Sequence, residues 1–568
     1  MADLYSKRLE SVSDYRLNQG IYLVGVVTTF IVSPWSNYDP ISLPKMFTLS
    51  IGSFGILFLI CSYWNQFKVK DIRRVLIISA TFFASMLSSI FLSGANIESQ
   101  FWGSFGRNTG LLTYTCLLIL LIASALVQQG SLYRKLISVF IFSSIPMTFY
   151  CIFQILGMDP IGWSEKFAFG TLGNVNFLSA FFGMTSTAAL ALAISNIYTS
   201  PSRLFLLALS IVDISIAAYT KSIQGPVIFV AGLFAILFCK IYYYPKNSIR
   251  VWIRLAYFSL TTTGLFGLFL ALVDRGPLAS IIYQPSILFR ADYMHAGFKM
   301  LVAKPYFGVG IDNYGSWYRE LRGEISTMRT GPNRISNSAH NIFLDLGASG
   351  GLPLALAYLF LNFAVVIAII KLFRNGGMRH PVAVAAFSSW VAYQAQATIS
   401  INQIGVGVWG WILSGVLIGL SRISFPTNSV MKQSFFSNPL VLTKSTQLQA
   451  KAPIFITVGA ILGFSLALPP LNADVKYRNA SKSGNFEQIY QSTRVLGSTE
   501  FHKELLLDFA QKNNLNSEVW LAAKQLTETY PRNFYAWALM AVSPIGTVEE
   551  HSVARQIAKS LDPYNPDI

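Results

Sequence analysis

Charged residues are scarce in this chain. They make up 12% of its 568 residues, whereas a soluble domain usually carries roughly 25%, so an ordinary water-soluble globule is excluded. The hydrophobic content of 53% equally excludes a disordered chain, because so many apolar side chains must be buried. We therefore expect a polytopic membrane protein.

Cysteine is also rare, with four residues in the whole chain. Cys61, Cys116, Cys151 and Cys239 all lie inside apolar runs, are widely spaced, and form no CxxC or Cys/His pairing. The pattern predicts neither a disulfide framework nor a zinc site. No metal and no cofactor are expected.

Basic residues exceed acidic ones and give a formal net charge of +17. A nucleic-acid-binding protein would gather its Lys and Arg side chains in one solvent-facing patch. Here they are spread over alternate loops, so nucleic acid is not expected as a partner. With a cytoplasmic amino terminus, the opposite short loops hold only Lys45, Arg107, Lys166 and Lys221, which is the bias that orients membrane proteins.

Apolar runs of about 20 residues are long enough to cross a bilayer core as helices. The chain contains thirteen such runs, so the predicted fold is an all-α polytopic membrane protein with its termini on opposite faces. The runs cover residues 18–36, 45–64, 75–94, 110–128, 136–157, 173–196, 204–220, 225–243, 253–273, 349–371, 381–399, 403–421 and 453–470.

Two stretches fall outside these runs on the face opposite the cytoplasm. The transmembrane domain is predicted over 1–470 and includes a large outer loop at 274–348, and a small helical domain is predicted over 471–568. In that tail, Pro531 and Pro563 stand about 32 residues apart, close to the roughly 34-residue period of tetratricopeptide repeats. Two degenerate repeats fit this spacing, and so does a small unrelated helical domain.

Four polar clusters occur at the outer ends of the predicted spans. They are residues 103–110, residues 170–177, residues 220–225 and the large outer loop. Because the predicted topology places all four on one face of the membrane, they could contribute to one active site.

The outer loop contains a predicted helix start. Ser336 or Ser338 is a plausible cap, which would put His340 and Asn341 in the first helical turn beside exposed backbone N–H groups. Such a helix start attracts anions.

A phosphate at this helix start would also attract Arg290 and Lys221. The chemistry this suggests is displacement at a phosphate-linked carbon, in which cations hold a leaving diphosphate and a neutral imidazole accepts a proton from a hydroxyl. His340 suits the role of proton acceptor because the pKa of histidine is about 6.5. Arginine suits the role of diphosphate ligand because its planar guanidinium can donate two hydrogen bonds to one phosphate.

The ordered series of clusters resembles the O-antigen ligase and polymerase superfamily, with the bacterial protein O-oligosaccharyltransferases beside it. The resemblance covers roughly residues 100–420, and the tail is similar to the repeat-bearing tails of some members. The matching features are a G…R…G loop (Gly103 to Gly110), a GTxGNxN segment (Gly170 to Asn176), an arginine opening the large loop (Arg290), a PxxGxG turn (Pro305, Gly308, Gly310) and an HN(x)nG segment (His340, Asn341, Gly347).

This resemblance implies a metal-independent glycosyltransferase in the bacterial inner membrane, with its carboxyl terminus in the periplasm. The donor would be a glycan on undecaprenyl diphosphate, and the acceptor would be a hydroxyl of a lipid core, a protein or another glycan. It implies that Arg290 binds the diphosphate and that His340 contacts the acceptor hydroxyl.

The chain departs from the family pattern before the eighth span. A Ser-Arg-Gly-like segment is common there, and this chain reads Ser222-Ile223-Gln224-Gly225. Lys221 could supply the missing charge, or Gln224 could bind through hydrogen bonds. Asn-Pro-Asn is also usual where this chain has Asn174-Val175-Asn176.

The remaining candidates each have more than one interpretation. Arg107 is a candidate diphosphate ligand or an anchor for its loop. Asn174, Asn176, Asn341 and Asp292 are candidates for supporting the substrate or the loops, and the first two could simply cap the sixth span. Plainer interpretations also stay open for the two principal residues: the arginine could reach towards lipid phosphate, and the histidine could cap or pack.

Four functions stay open. A ligase passes an assembled glycan to an acceptor, and a polymerase joins repeat units. A lipid-linked glycan transporter would carry charges along the inside of the bundle, and the spans are nearly free of charge. A scaffold that recruits partners through the tail would need none of the outer motifs. The ligase is favoured because the loop and tail offer room for an acceptor.

Overall fold

The computed structural model describes residues 2–163, 167–245, 248–423 and 452–568, so Lys166 lies outside the described residues. Within these ranges the chain is helical and contains no β-strand, which confirms the predicted all-α class. The first helices are α1 (Ala2–Phe30), α2 (Ser42–Ile60), α3 (Trp64–Phe67), α4 (Lys70–Leu92), α5 (Ile97–Trp102), α6 (Leu111–Leu126), α7 (Gly130–Phe142) and α8 (Ser144–Ile155). The middle of the chain forms α9 (Val175–Ala193), α10 (Ser200–Tyr219), α11 (Gln224–Tyr242), α12 (Ser248–Leu272), α13 (Ala279–Ile282), α14 (Pro285–Ala303), α15 (Tyr314–Leu321) and α16 (Glu324–Thr330). The last helices are α17 (Ile342–Arg374), α18 (Pro381–Ile399), α19 (Ile404–Leu420), α20 (Ala452–Ser481), α21 (Phe486–Ser492), α22 (Glu500–Lys512), α23 (Asn516–Thr529), α24 (Phe534–Ala541) and α25 (Val548–Leu561).

Nine helical segments of the described residues are long and apolar enough to cross a membrane. They are Ser42–Ile60, Lys70–Leu92, Gly130–Ile155, Val175–Ala193, Ser200–Tyr219, Gln224–Tyr242, Ile249–Leu272, Ile342–Arg374 and Pro453–Ser481. The other four predicted runs fall on α6 and α19, which are apolar but shorter, and on α1 and α18. Every predicted run therefore lies on helical structure, although only nine satisfy both length and composition.

The short apolar helices form the centre of the bundle. α19 packs against α6, and every residue of α19 is buried, as expected for a helix that is apolar on all sides. Around this pair, α2 packs against α20, and α9 packs against α10 and α18. By contrast, α12 is almost entirely exposed and lies at the outer edge.

Lys45 has a structural role that its sequence position does not reveal. It lies inside α2, and its buried ammonium group donates hydrogen bonds to the carbonyl oxygens of Thr28, Thr29 and Ile31 at 3.1, 2.7 and 3.1 Å. Those carbonyls belong to the carboxyl end of α1, where a cation is favoured. Lys45 therefore stabilises a helix end and does not lie in a short outer loop.

The tail is fixed to the rest of the protein at both of its ends. α20 runs without interruption from the bundle into the tail. There the Asp474 carboxylate accepts hydrogen bonds from the backbone N–H of Tyr38 at 2.6 Å and lies 3.1 Å from the ring of His502. At the far end, Asp562 pairs with the fully buried Arg322 at 2.7 Å. The tail therefore has a defined position against the large loop.

Candidate functional site

Arg107 joins two of the predicted polar clusters, the 103–110 loop and the large outer loop. Its guanidinium pairs with Asp312 at 3.2 Å and with Asp345 at 2.7 Å, and it donates a hydrogen bond to the carbonyl of Asn337. All three ionic side chains are buried. Burial alone would lower the pKa of Arg107, but the two carboxylates outweigh that effect and raise it. This buried triad fixes the 103–110 loop to both halves of the large loop.

The PxxGxG turn packs against the beginning of α17. Gly308 adopts a φ of 65°, and a Cβ atom there would lie 2.3 Å from the backbone of Ser349. Gly351 makes the matching kink inside α17 with a φ of 72°. The backbone N–H of Val309 donates to the carbonyl of Ala348 at 2.8 Å. Two glycines are thus required for the close contact that positions Asp312.

The helix that follows His340 begins differently from the prediction. Asn341 is its cap, since the Asn341 side chain accepts a hydrogen bond from the backbone N–H of Leu344 at 3.1 Å. The prediction that Ser336 or Ser338 caps this helix is wrong: Ser338 instead accepts from the backbone N–H of His340 at 3.0 Å, a local turn that competes with capping. His340 therefore precedes the helix, in the left-handed conformation with a φ of 52°.

This conformation places the imidazole of His340 against α14. Its ring lies 5.2 Å from that of Tyr293, and Arg290 is one turn earlier on the same helix. Burial lowers the pKa of His340 to about 4, and the charge of Arg290 adds to the effect while Asp345 opposes it. The Nδ1 atom of His340 is buried and has no hydrogen-bond partner among the described residues. The imidazole is therefore neutral at physiological pH.

Arg290 differs from Arg107 in having no compensating partner. It is half-buried, and in the described part of the chain it forms no hydrogen bond or ion pair. Burial lowers the pKa of its guanidinium, although not enough to discharge an arginine at neutral pH. An uncompensated cation thus lies beside a neutral imidazole.

The second and third polar clusters are joined by their amides. The Asn176 side chain accepts a hydrogen bond from the Ser222 hydroxyl at 2.7 Å. Gln224 is buried and donates to the side chain of Gln396 at the end of α18, while its own Oε1 atom has no partner among the described residues. Lys221, with a φ of 59°, is exposed at the turn between α10 and α11.

The end of α18 connects this turn to the segment around His340. The Asn341 side chain donates to the backbone carbonyl of Thr398 at 3.1 Å, two residues beyond Gln396. The four clusters therefore meet at one end of the bundle, which we call the loop end. Gln396 was not singled out by the sequence because it lies in a predicted span.

Two of the predicted supporting residues lie towards the edge of this region. Asn174 caps α9, accepting from the backbone N–H of Asn176 at 2.8 Å. Asp292 pairs with Arg329 at 2.8 Å in a partly exposed ion pair. Both contacts support loops.

Sequence reasoning gave no role to three residues at the centre of the loop end. Asp312 and Asp345 compensate Arg107, and Tyr293 packs on His340. The available signal was charge: Asp345 lies within the HN(x)nG segment and Asp312 lies two residues after the PxxGxG turn, in an otherwise basic loop where a buried carboxylate needs a cation.

The bundle and its gathered polar loops define a multi-pass membrane protein with a candidate site at one end. Residues 188–359 match the model of the family described as O-antigen ligase, and this match supports the resemblance to the O-antigen ligase superfamily. That family indicates a glycosyltransferase-like enzyme of the ligase or polymerase type acting on lipid-linked glycans at a membrane. The match includes Lys221, Gln224, Arg290 and His340, whereas Arg107 precedes it. No curated protein matches the chain.

Proposed function

We propose that this protein transfers a glycan from undecaprenyl diphosphate to an acceptor hydroxyl, as an O-antigen ligase does. One observation carries the proposal: the uncompensated guanidinium of Arg290 lies next to the neutral imidazole of His340. A cation for the leaving group and a base for the nucleophile are the two functions this reaction needs.

In the proposed reaction the acceptor oxygen attacks the sugar carbon that is bound to the diphosphate. The new carbon–oxygen bond forms as the bond to the diphosphate oxygen breaks, and the electron pair leaves with undecaprenyl diphosphate. His340 takes the proton of the acceptor hydroxyl, and Arg290 neutralises the charge that develops on the diphosphate. The proposed reaction balances without a metal.

The other candidate residues are assigned according to what they contact. Arg107 is a positioning residue, since its ion pairs fix the chain on either side of His340. Lys221 is exposed and free to approach a diphosphate, and the unpartnered oxygen of Gln224 can accept a hydrogen bond from substrate. Asn176 and Asn341 hold the loops that surround them.

The proposed location is the bacterial inner membrane. Its amino terminus would be cytoplasmic and its loop end periplasmic, because the basic residues of the short loops lie mostly at the opposite end of the spans. Acceptors in the periplasm include a lipid core, a protein or another glycan.

The first test compares Arg290→Ala and His340→Ala with the wild type in cells that lack the native gene. Each variant should lose at least 99% of glycan transfer, because each removes one half of the chemistry, and glycan should accumulate on undecaprenyl diphosphate. Gels of surface glycan and mass spectrometry of the lipid-linked pool measure both effects.

Arg275→Ala is the matched control, since Arg275 is an exposed arginine of the same loop. It should transfer at the wild-type level. Full-length glycan on the carrier identifies a ligase, whereas an acceptor that carries single repeat units identifies a polymerase. Normal transfer by both alanine variants at wild-type abundance would contradict the proposed function.

A further inference from the structure

A cavity lies between the tail and the large loop, separate from the Arg290–His340 pair. Its volume is about 230 Å³, and it is lined by residues of α22 and α24, of the 103–108 segment and of α15. This volume is just below the roughly 300–1,000 Å³ of sites for drug-sized ligands, which limits an occupant to one or two sugar-sized rings.

Two half-buried carboxyl groups form one wall of this cavity. Glu500 and Glu504, one turn apart on α22, both accept hydrogen bonds from the side-chain amide of Asn533, at 2.8 and 2.6 Å. Neither forms an ion pair with a described cation. Burial raises the pKa of Glu500 to about 7 and also raises that of Glu504. At neutral pH the carboxyl group of Glu500 can therefore donate as well as accept hydrogen bonds.

Independent evidence comes from polar atoms that lack a partner. Asn108 and Ser498 line the cavity, are 3% and 7% exposed, and each has a buried side-chain oxygen without a hydrogen-bond partner in the described ranges. Unsatisfied buried polar atoms are costly, so they indicate a missing partner. Phe501 and Phe534 add aromatic surface to the same cavity.

These features favour a ligand that is rich in hydroxyl groups. A hydroxyl both donates and accepts, which suits the partly protonated Glu500, the carboxyl group of Glu504 and the unpaired oxygens of Asn108 and Ser498. A cationic ligand fits less well, because Arg319 also lines the cavity and its charge acts on Glu504. Aromatic rings suit the apolar face of a sugar.

The cavity shares a wall with the candidate site. Asn108 and Asp312 line the cavity, and the neighbouring Arg107 pairs with Asp312 and with Asp345 in the helix that follows His340. A ligand held there would lie across one loop from the proposed chemistry.

We infer that this cavity between the tail and the large loop binds a saccharide, namely sugar units of the glycan substrate away from the bond that is transferred. The inference rests on the proposed function for the identity of the glycan. The tail would then take part directly in substrate binding.

The test measures binding of an oligosaccharide to the purified full-length protein in nanodiscs. The probes are the oligosaccharide released by mild acid from the surface glycan of the host cell, maltotriose as an unrelated sugar, and lysine amide as a cation. We expect the released oligosaccharide to bind, and the Glu500→Gln/Glu504→Gln double variant to bind it at least tenfold more weakly. Glu528→Gln/Glu549→Gln, which changes two exposed glutamates of the tail, should bind as the wild type does.

Further variants separate folding and chemistry from binding. Ser498→Ala should weaken binding several-fold while leaving the thermal unfolding temperature unchanged. Arg290→Ala should lose glycan transfer and still bind the released oligosaccharide. If this variant kept glycan transfer, the proposed function would be wrong, but the measured oligosaccharide binding would still test the cavity. Equal binding by the wild type and the double variant, no saccharide binding at all, or binding of lysine amide in place of the sugars would each overturn the inference.

Discussion

Arg107 and Arg290 both lie at the loop end, and their surroundings are opposite. Arg107 is buried between two aspartates and a carbonyl oxygen. Arg290 has no such partner in the described part of the chain. A buried charge that stabilises the fold is paired with opposite charges inside the protein. A cation without such a partner can instead bind an anion that comes from outside the protein. The comparison therefore separates a positioning residue from a candidate catalytic residue.

The largest expected effect comes from removing the compensated arginine. Arg107→Ala leaves Asp312 and Asp345 buried without a cation, and breaking a buried pair in this way costs about 3–5 kcal/mol. We expect a strong decrease in yield and in thermal unfolding temperature in detergent. Arg290→Ala is the comparison variant, and its unfolding temperature should change little. Equal decreases for the two variants would remove the distinction between these arginines.

The pH dependence of transfer gives the next effect. Because burial and Arg290 lower the pKa of His340 to about 4, the imidazole stays neutral well below its usual range. The catalytic efficiency, kcat/KM, should therefore remain level from pH 8 to about pH 5 and decrease as the pH approaches 4, where the base becomes protonated. A midpoint near 6.5, the ordinary value for histidine, would contradict the lowered pKa of His340.

The same shift affects stability. The pKa of His340 in the folded protein lies below its unfolded value, so the unfolded chain binds the proton first as the pH falls. His340 therefore lowers the free energy of unfolding as the pH falls from about 6.5 to about 4. His340→Gln should show a smaller decrease in unfolding temperature over that interval than the wild type does.

The smallest effect is expected at the partly exposed pair of Asp292 and Arg329. Pairs of this kind contribute about 0–1 kcal/mol. Asp292→Ala should therefore leave the unfolding temperature nearly unchanged and transfer above half of the wild-type rate, in the same two assays. A loss of transfer as large as that of Arg290→Ala would mean that Asp292 positions Arg290.

The sequence predicted the helices well because a membrane span is a local property. Twenty apolar residues define it, whatever else the chain contains. Helix starts were harder to place, since Ser336, Ser338 and Asn341 can all cap a helix. The choice depends on which side chain reaches the backbone N–H three residues later, and that depends on the left-handed backbone at His340.

Local sequence patterns could not predict contacts between residues that are far apart in the chain. The motifs around Arg107 and His340 were recognised, but their connection through Asp345 joins residues 238 positions apart. The cavity near the tail depends in the same way on segments from three parts of the chain. Hydrophobic periodicity describes each segment and contains no information about which segments meet.

The pairing of Arg322 with Asp562 has a consequence for the order of folding. These residues are 240 positions apart, and Asp562 follows all nine candidate membrane spans of the described residues. During synthesis the large loop emerges long before its buried cation can find this carboxylate. The loop can therefore reach its final packing only after translation of the tail, so assembly of the loop end is a late step of biogenesis.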